Sequence, residues 1–274
     1  SCDSAEWNGT WYYSDTIITL TGLTSSGCDS TAVLNLTINN STTSYDTVVA
    51  CDSYTWNDST YTQSGIYFYN SLLSNQTSLI FNDDIIDIGN VNSFPSEDIT
   101  VSFWVKQNIN SSSTTHIMSY AKVGQDNEFL VYTNTYGELE VTINGQQHNS
   151  EVNIAEGLWT YVTLVYSSDN SHVLLYKNSN LVDTVNSNAS LLSSSGYLVF
   201  GQDQDAYGGG YSSSQAFYGS LDNVEIWSFP LNSQQINDNM NCSPDGSESG
   251  LLGLWSFKEG SGDVIDQTPF SNHG

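Results

Sequence analysis

Arginine is absent from this chain, and four lysines stand against 30 Asp and Glu, leaving a formal charge of −26 over 274 residues. Such a chain repels nucleic acid and anionic bilayers, because binding phosphate needs cations that displace counterions. No apolar run approaches the roughly 20 residues that span a bilayer, which excludes direct insertion by a helix. None of the four cysteines forms a Cys-x-x-Cys pair, so a zinc ribbon or thioredoxin-type site is excluded. His116, His148, His172 and His273 are scattered, with no His-Glu-x-x-His and no nucleophile elbow; each reads as a surface or strand histidine. What the chain has instead is 43 Ser, 24 Thr and 28 Asn, roughly a third of its residues. With 38% hydrophobic and 12% aromatic residues it can still bury a core, and its abundance of small polar residues and tyrosine favours strands and turns. The start at Ser1, with no signal peptide visible, suits a processed or excerpted chain.

Cys2, Cys28, Cys51 and Cys242 make an even set in a lysine-poor, polar chain, which points to disulfides in an oxidising, extracellular setting. Four cysteines allow three connectivities, of which Cys2–Cys28 with Cys51–Cys242 is the pairing taken here.

An internal repeat opens the chain. Cys2-Asp3-Ser4 followed by Trp7-Asn8 recurs as Cys51-Asp52-Ser53 followed by Trp56-Asn57, and Ile17 matches Ile66 in the same register. The first copy runs into Ala32 to Ile38, whose alternation reads as a half-buried strand. From about residue 72 strand signals lengthen: Ser78 to Phe81, Ile99 to Val105, Glu128 to Tyr132, Glu138 to Ile143, Trp159 to Tyr166, His172 to Tyr176, Tyr197 to Phe200, Asn223 to Trp227 and Gly250 to Trp255. Asn144-Gly145 and Ser195-Gly196 punctuate them as turns. One helix is predicted over Asn232 to Met240 with Ser233 as its N-cap. Many strands and almost no helix predict an all-β sandwich.

Gly201-Gln202-Asp203-Gln204-Asp205-Ala206-Tyr207-Gly208-Gly209-Gly210-Tyr211, then Ser214-Gln215 and Gly219 to Trp227, resembles the signature region of pentraxins. Ser119-Tyr120-Ala121 and Gln125 to Tyr132 resemble that family's first calcium loop and the strand after it, and Phe229 to Asn237 its stretch between the last strands. Ser78 to Gln107 is similar to the opening of the wider laminin-G-like, concanavalin A-like group. The resemblance covers about residues 72–257 and implies an antiparallel jelly-roll sandwich. The preceding Cys-Asp-Ser…Trp-Asn repeats resemble small, Ig-like modules of very long bacterial surface proteins. The domain organisation expected is a β repeat module over 1–48, a partial repeat or linker over 49–71, and the sandwich over 72–274. Leu251–Phe257 is assigned to this sandwich, whereas the last ten or so residues also resemble the opening of a following unit.

The resemblance further implies calcium, held by the side chains of Asp126, Asn127, Asp203, Asp205 and Gln215 and the backbone carbonyl of Gln204. Calcium takes six to eight hard oxygen ligands, which these residues offer. The family's further acidic position is Ser212 here, so one firm ion is expected. Without the resemblance, the same Asp and Asn read as turn formers. Sandwiches of this group also host glycosidases, which need paired acids facing a cleft. Glu138-Leu139-Glu140 and Asp222-Asn223-Val224-Glu225 lack the third acid of the usual strand motif and read as solvated pairs, so no enzyme is expected.

Ser4, Thr16, Ser30, Thr47, Ser59 and Thr184 each follow Asp and precede an apolar residue or Thr, which is similar to a bacterial extracellular O-glycosylation pattern. Together these features predict an extracellular structural or adhesive protein, a calcium-stabilised subunit of a surface fibre that associates with copies of itself. The alternative is a calcium-dependent, lectin-like adhesin module that binds glycans, with Tyr207 and Tyr211 flanking its loop and offering rings to a sugar.

Overall fold

Long strands with apolar residues on both faces need cover on both faces, and Ile99–Gln107 shows how this chain provides it. Val101, Phe103 and Val105 enter a core between two sheets, whereas Trp104, on the opposite face, joins Tyr161, Trp227, Ile236, Leu251 and Leu254 in a second cluster. Strands covered on one face only would alternate between apolar and polar residues; these read as nearly continuous apolar runs.

The computed structural model describes residues 78–274 apart from 109–112, 169–170, 188, 190–191 and 260–261. Before them it describes 5–7, 10–14, 16–23, 29–36, 54–56 and 59–62. The chain divides into two compact units, Ser1–Tyr67 and Phe68–Gly274. In the first, the described residues form three antiparallel pairs: β1 (Ala5–Trp7) with β2 (Thr10–Tyr12), β3 (Thr16–Leu23) with β4 (Asp29–Leu36), and β5 (Tyr54–Trp56) with β6 (Ser59–Tyr61). The repeat read from the cysteine motif reappears as geometry, since β1–β2 and β5–β6 are the same three-residue hairpin at equivalent positions of the two copies. Cys2, Cys28 and Cys51 lie outside the described residues, as do Ser4 and Thr47. Cys242 is disulfide-bonded.

The second unit is a sandwich of β7 (Leu79–Asn82), β8 (Ile86–Val91), β9 (Ile99–Gln107), β10 (Thr115–Lys122), β11 (Gln125–Thr133), β12 (Glu138–Ile143), β13 (Gln146–Asn153), β14 (Thr160–Ser167), β15 (His172–Lys177), β16 (Asn180–Asn186), β17 (Gly196–Phe200), β18 (Tyr218–Trp227) and β19 (Leu251–Trp255), with helix α1 (Ser233–Asn241) between the last two. One sheet has the order β13-β12-β11-β10-β17-β8; the other runs β16-β15-β14-β9-β18. Along the free edge of β18, β7 pairs with Tyr218–Leu221 and β19 with Val224–Trp227, so the two lie end to end. Every pairing is antiparallel, as the sandwich predicted from patterning requires. Asn144 and Gly145 join β12 to β13 with φ of 46° and 74°, the left-handed pair that a two-residue hairpin demands.

Helix α1 is capped by Asn232, not by Ser233. Asn232 accepts a hydrogen bond from the Gln235 amide at 3.0 Å while the Gln235 side chain accepts from the Asn232 amide at 2.9 Å. That reciprocal box needs Gln three residues after the cap, which only Asn232 satisfies.

The closing segment packs on this sandwich. Trp255 is buried edge-on against Phe200 at 5.1 Å, and its indole N–H donates to the Asn272 carbonyl at 2.9 Å. Val264 and Gly274 exchange backbone hydrogen bonds, and buried Asp266 accepts from the amides of Leu254, Thr268 and Asn272.

The acids of β18 are not solvated, contrary to the reading of Asp222 and Glu225 as an exposed pair. The register slips between them, and Glu225 is wholly buried on the helix side, accepting from Trp227 Nε1 at 3.0 Å and Asn239 Nδ2 at 3.1 Å. Burial pushes the Glu225 carboxyl up to about 8 and that of Asp222 up to about 7. Glu140 is likewise buried, taking hydrogen bonds from Asn134 and Gln147.

Candidate functional site

Between β17 and β18 the chain runs from Gly201 to Phe217 without a helix or a strand. This loop is fixed at its base by the Phe217 amide donating to the Gly201 carbonyl at 2.9 Å. Gly201 has φ of 88°, and a Cβ there would lie 2.4 Å from the Phe81 ring, so only glycine lets the loop leave β17 this closely. The loop then folds back over β10, whose His116 amide donates to the Gln215 carbonyl at 2.9 Å. Its tip is a tight turn, with Ala206 and Gly209 exchanging backbone hydrogen bonds around Tyr207-Gly208.

Under the loop, β10 presents Ser119 and His116. The Gln204 amide N–H donates to Ser119 Oγ at 3.2 Å, and its side-chain nitrogen donates to the carbonyls of Ser119 and Tyr197. Gly208 donates to Gln204 Oε1, so this buried side chain is consumed in shaping the loop. Asp203, also buried, collects donors on both oxygens. Its Oδ1 accepts from the Gln204 amide at 2.8 Å and Ser119 Oγ at 3.4 Å, and its Oδ2 accepts from Gln215 Nε2 at 3.1 Å. His116 Nε2 lies 3.5 Å from the same Oδ2, its ring stacked on Tyr132. Burial lowers His116 below its ordinary value and raises Asp203 above its own, each against the pull of its charged neighbour.

The residues predicted as ligands thus divide. Asp203, Gln204 and Gln215 meet around β10, and Asp205 is exposed one residue further along the loop. Asp126 and Asn127 lie at the start of β11, after a turn at Val123-Gly124. There Asp126 Oδ1 accepts from the Asn127 amide, and the Asn127 carbonyl accepts from Gly145. Ser119 to Ala121, read as loop, are strand. Among the described residues no three His, Cys, Asp or Glu side chains gather closely enough to hold a metal. Ser212 bonds Ser214 and turns its carbonyl to Gln202. Of the predicted glycan acceptors, Thr16, Ser30 and Ser59 fall in strands of the first unit, and Thr184 is exposed on edge strand β16. His116 escaped sequence reading because its partners are distant in the chain and become neighbours only when the loop folds over β10.

Residues 82–253, which span β8 to the middle of β19 and all six predicted ligands, match the Pentaxin family. The chain belongs to this family. Pentaxin relatives include C-reactive protein 1.1 of Limulus polyphemus, 28% identical over 160 residues, covering 54% of this chain and 63% of the relative. Neuronal pentraxin-2 of Cavia porcellus is 27% identical over 146 residues, 53% of this chain and 34% of the relative. The rat Sushi, von Willebrand factor type A, EGF and pentraxin domain-containing protein 1 is 28% identical over 161 residues, 57% of this chain and 4% of the relative. The chain therefore spans less than two thirds of each. Among solved structures, a native heptameric SAP-like pentraxin from Limulus polyphemus superposes with a TM-score of 0.53 at 22% identity, over 70% of this chain and 91% of that one. A putative carbohydrate binding protein from Bacteroides ovatus gives 0.57 at 17% identity, over 72% and 57%. At such identities the likeness is one of fold. The pentaxin match carries no counterpart for the repeats before residue 82.

Proposed function

We propose that the sandwich is a non-enzymatic, calcium-dependent ligand-binding module of an extracellular protein, with the loop from Gly201 to Phe217 as its metal-binding face. The observation that carries this reading is Asp203: a buried carboxylate, fixed by Ser119 and the Gln204 amide, in the region of the family match. Asp203, Asp205 and the Gln204 carbonyl are hard oxygen donors suited to calcium. Gln215 joins them once a half-turn of its amide exchanges the nitrogen now facing Asp203 for its oxygen. Asp126 and Asn127 complete the proposed set from the hairpin of β10 and β11. Calcium supplies charge compensation and, through open positions, a ligand contact. With Ser212 in the further acidic position, one ion is proposed.

Calcium at a hundredfold excess over its Kd should stabilise the chain by about 2.7 kcal/mol, raising the melting temperature by roughly 5–10 °C over that in chelator. Asp203→Asn should abolish the increment in calorimetry without lowering the melt in chelator. Identical melts of the native chain in calcium and chelator would sink the reading.

A second reading, a subunit of a surface fibre, is favoured by the recurrence of one hairpin in the two N-terminal repeats. Negative-stain electron microscopy should show fibres in calcium that weaken in chelator; discrete particles in both conditions exclude it.

A further inference from the structure

Beside the loop, on the outer face of the six-stranded sheet, three tyrosines converge on edge strand β8 without serving the core. Tyr207 stands at the tip of the Ala206–Gly209 turn, 41% exposed, with its hydroxyl donating to Asn90 Oδ1 at 2.5 Å. Tyr197, on β17, meets it edge-on at 5.5 Å and 67°, and donates its own hydroxyl to Asp87 Oδ2 at 2.8 Å. Behind them the hydroxyl of Tyr211 is shielded from solvent without a hydrogen-bond partner. Gly208 seats its backbone against the Tyr197 ring, and a Cβ on Gly209 would meet nothing within 4 Å, so the space beside the tip is open.

We infer that Tyr207, with Asp87 and Asn90 beside it, forms a subsite for a neutral pyranose, whose apolar face stacks on the Tyr207 ring while its hydroxyls donate to the acceptors alongside. The ring is held at both ends, by its hydroxyl and by the turn, so little side-chain freedom is lost on binding. At 67° the Tyr197 ring does not stand parallel to Tyr207, so the pair does not form the facing walls that enclose a quaternary ammonium. Asp87, exposed and unneutralised by any described Lys contact, disfavours sialylated, uronic or phosphorylated ligands, as does the charge of −26. The inference deepens the ligand-binding reading of this face, yet it uses none of the residues assigned to calcium.

The test is an array of neutral, sialylated and uronate oligosaccharides with phosphocholine, probed with the full chain in calcium and in chelator. Affinities are measured by calorimetry, and the metal site is followed separately by terbium luminescence. Neutral glycans should be retained. Tyr207→Ala should weaken them about tenfold or more while Tyr207→Phe, which keeps the ring, costs at most about threefold. Terbium binding should be unchanged in both variants. Retention of acidic glycans or phosphocholine alone, no retention of any neutral glycan, or equal affinity in Tyr207→Ala would each overturn it. A chain that binds neutral glycans through Tyr207 but no terbium would instead refute the calcium reading and leave this one standing.

Discussion

Raising the pH from 5 to 8 is expected to cost this sandwich stability, and Glu225→Gln to remove most of that cost. An unfolded Glu titrates near its ordinary 4.5, whereas burial beneath helix α1 pushes the folded Glu225 to about 8. Below pH 4.5 both states hold the proton and the group is neutral in the balance. Between 4.5 and 8 the folded state keeps a proton that the unfolded state releases, so stability falls by about 1.4 kcal/mol per pH unit, roughly 4 kcal/mol by pH 8. Asp222, pushed to about 7 from 3.8, acts in the same direction. Glutamine keeps an oxygen for the Trp227 indole and has no charge to bury. Urea melts at pH 5 and 8 should therefore show the variant near the native chain at pH 5 and several kcal/mol above it at pH 8. Parallel pH profiles for the two proteins would refute the assignment.

Trp255→Ala should lower the unfolding free energy by about 4 kcal/mol, the loss typical of a large buried ring replaced by methyl. The ring fills the space against Phe200, and its removal also strips the Asn272 carbonyl of its donor. Phe270→Ala, at an exposed residue of the same closing segment, should change stability by less than about 0.5 kcal/mol. Denaturant midpoints decide it. A small loss at Trp255 would mean that residues 251–274 are not part of this cooperative unit.

The sequence shows this fold best where both faces of a strand are covered. Ile99–Gln107 and Thr160–Ser167 announce themselves as apolar runs, because the inter-sheet core takes one face and the helix-side cluster the other. Gln146–Asn153 goes unread because its inward positions include His148 and Ser150, whose side chains satisfy themselves on the carbonyls of Val141 and Leu139. Asn180–Asn186 is an edge strand with little buried, and no periodicity marks it. Asp222 and Glu225 are misread as solvated because nothing local reveals that both are buried, Glu225 beneath helix α1. Asn232 and Ser233 are both good caps, and only Gln235, three residues after Asn232, decides between them. The loop from Gly201 to Gln215 is legible through its resemblance to the pentraxin signature, since its Asp residues alone read as turn formers. The partners of Asp203 on β10 are not, because tertiary docking alone brings Ser119 and His116 to it.

Strand β7 has a mechanical consequence. It is held to the sheet by four residue pairs along the edge of β18, with Leu79 facing Leu221 and Asn82 facing Tyr218. Tension drawn away from the sheet through the chain ahead of Leu79 loads these pairs in succession, like a zip, rather than all at once in shear. The buried ring drawn out with them is Phe81, which packs against Phe217 and Gly201, the two residues that close the base of the loop. Load would thus slacken the loop while β9, β14 and the other central strands remain paired. The opening strand would act as a latch through which force reaches the loop between β17 and β18 before it reaches the core.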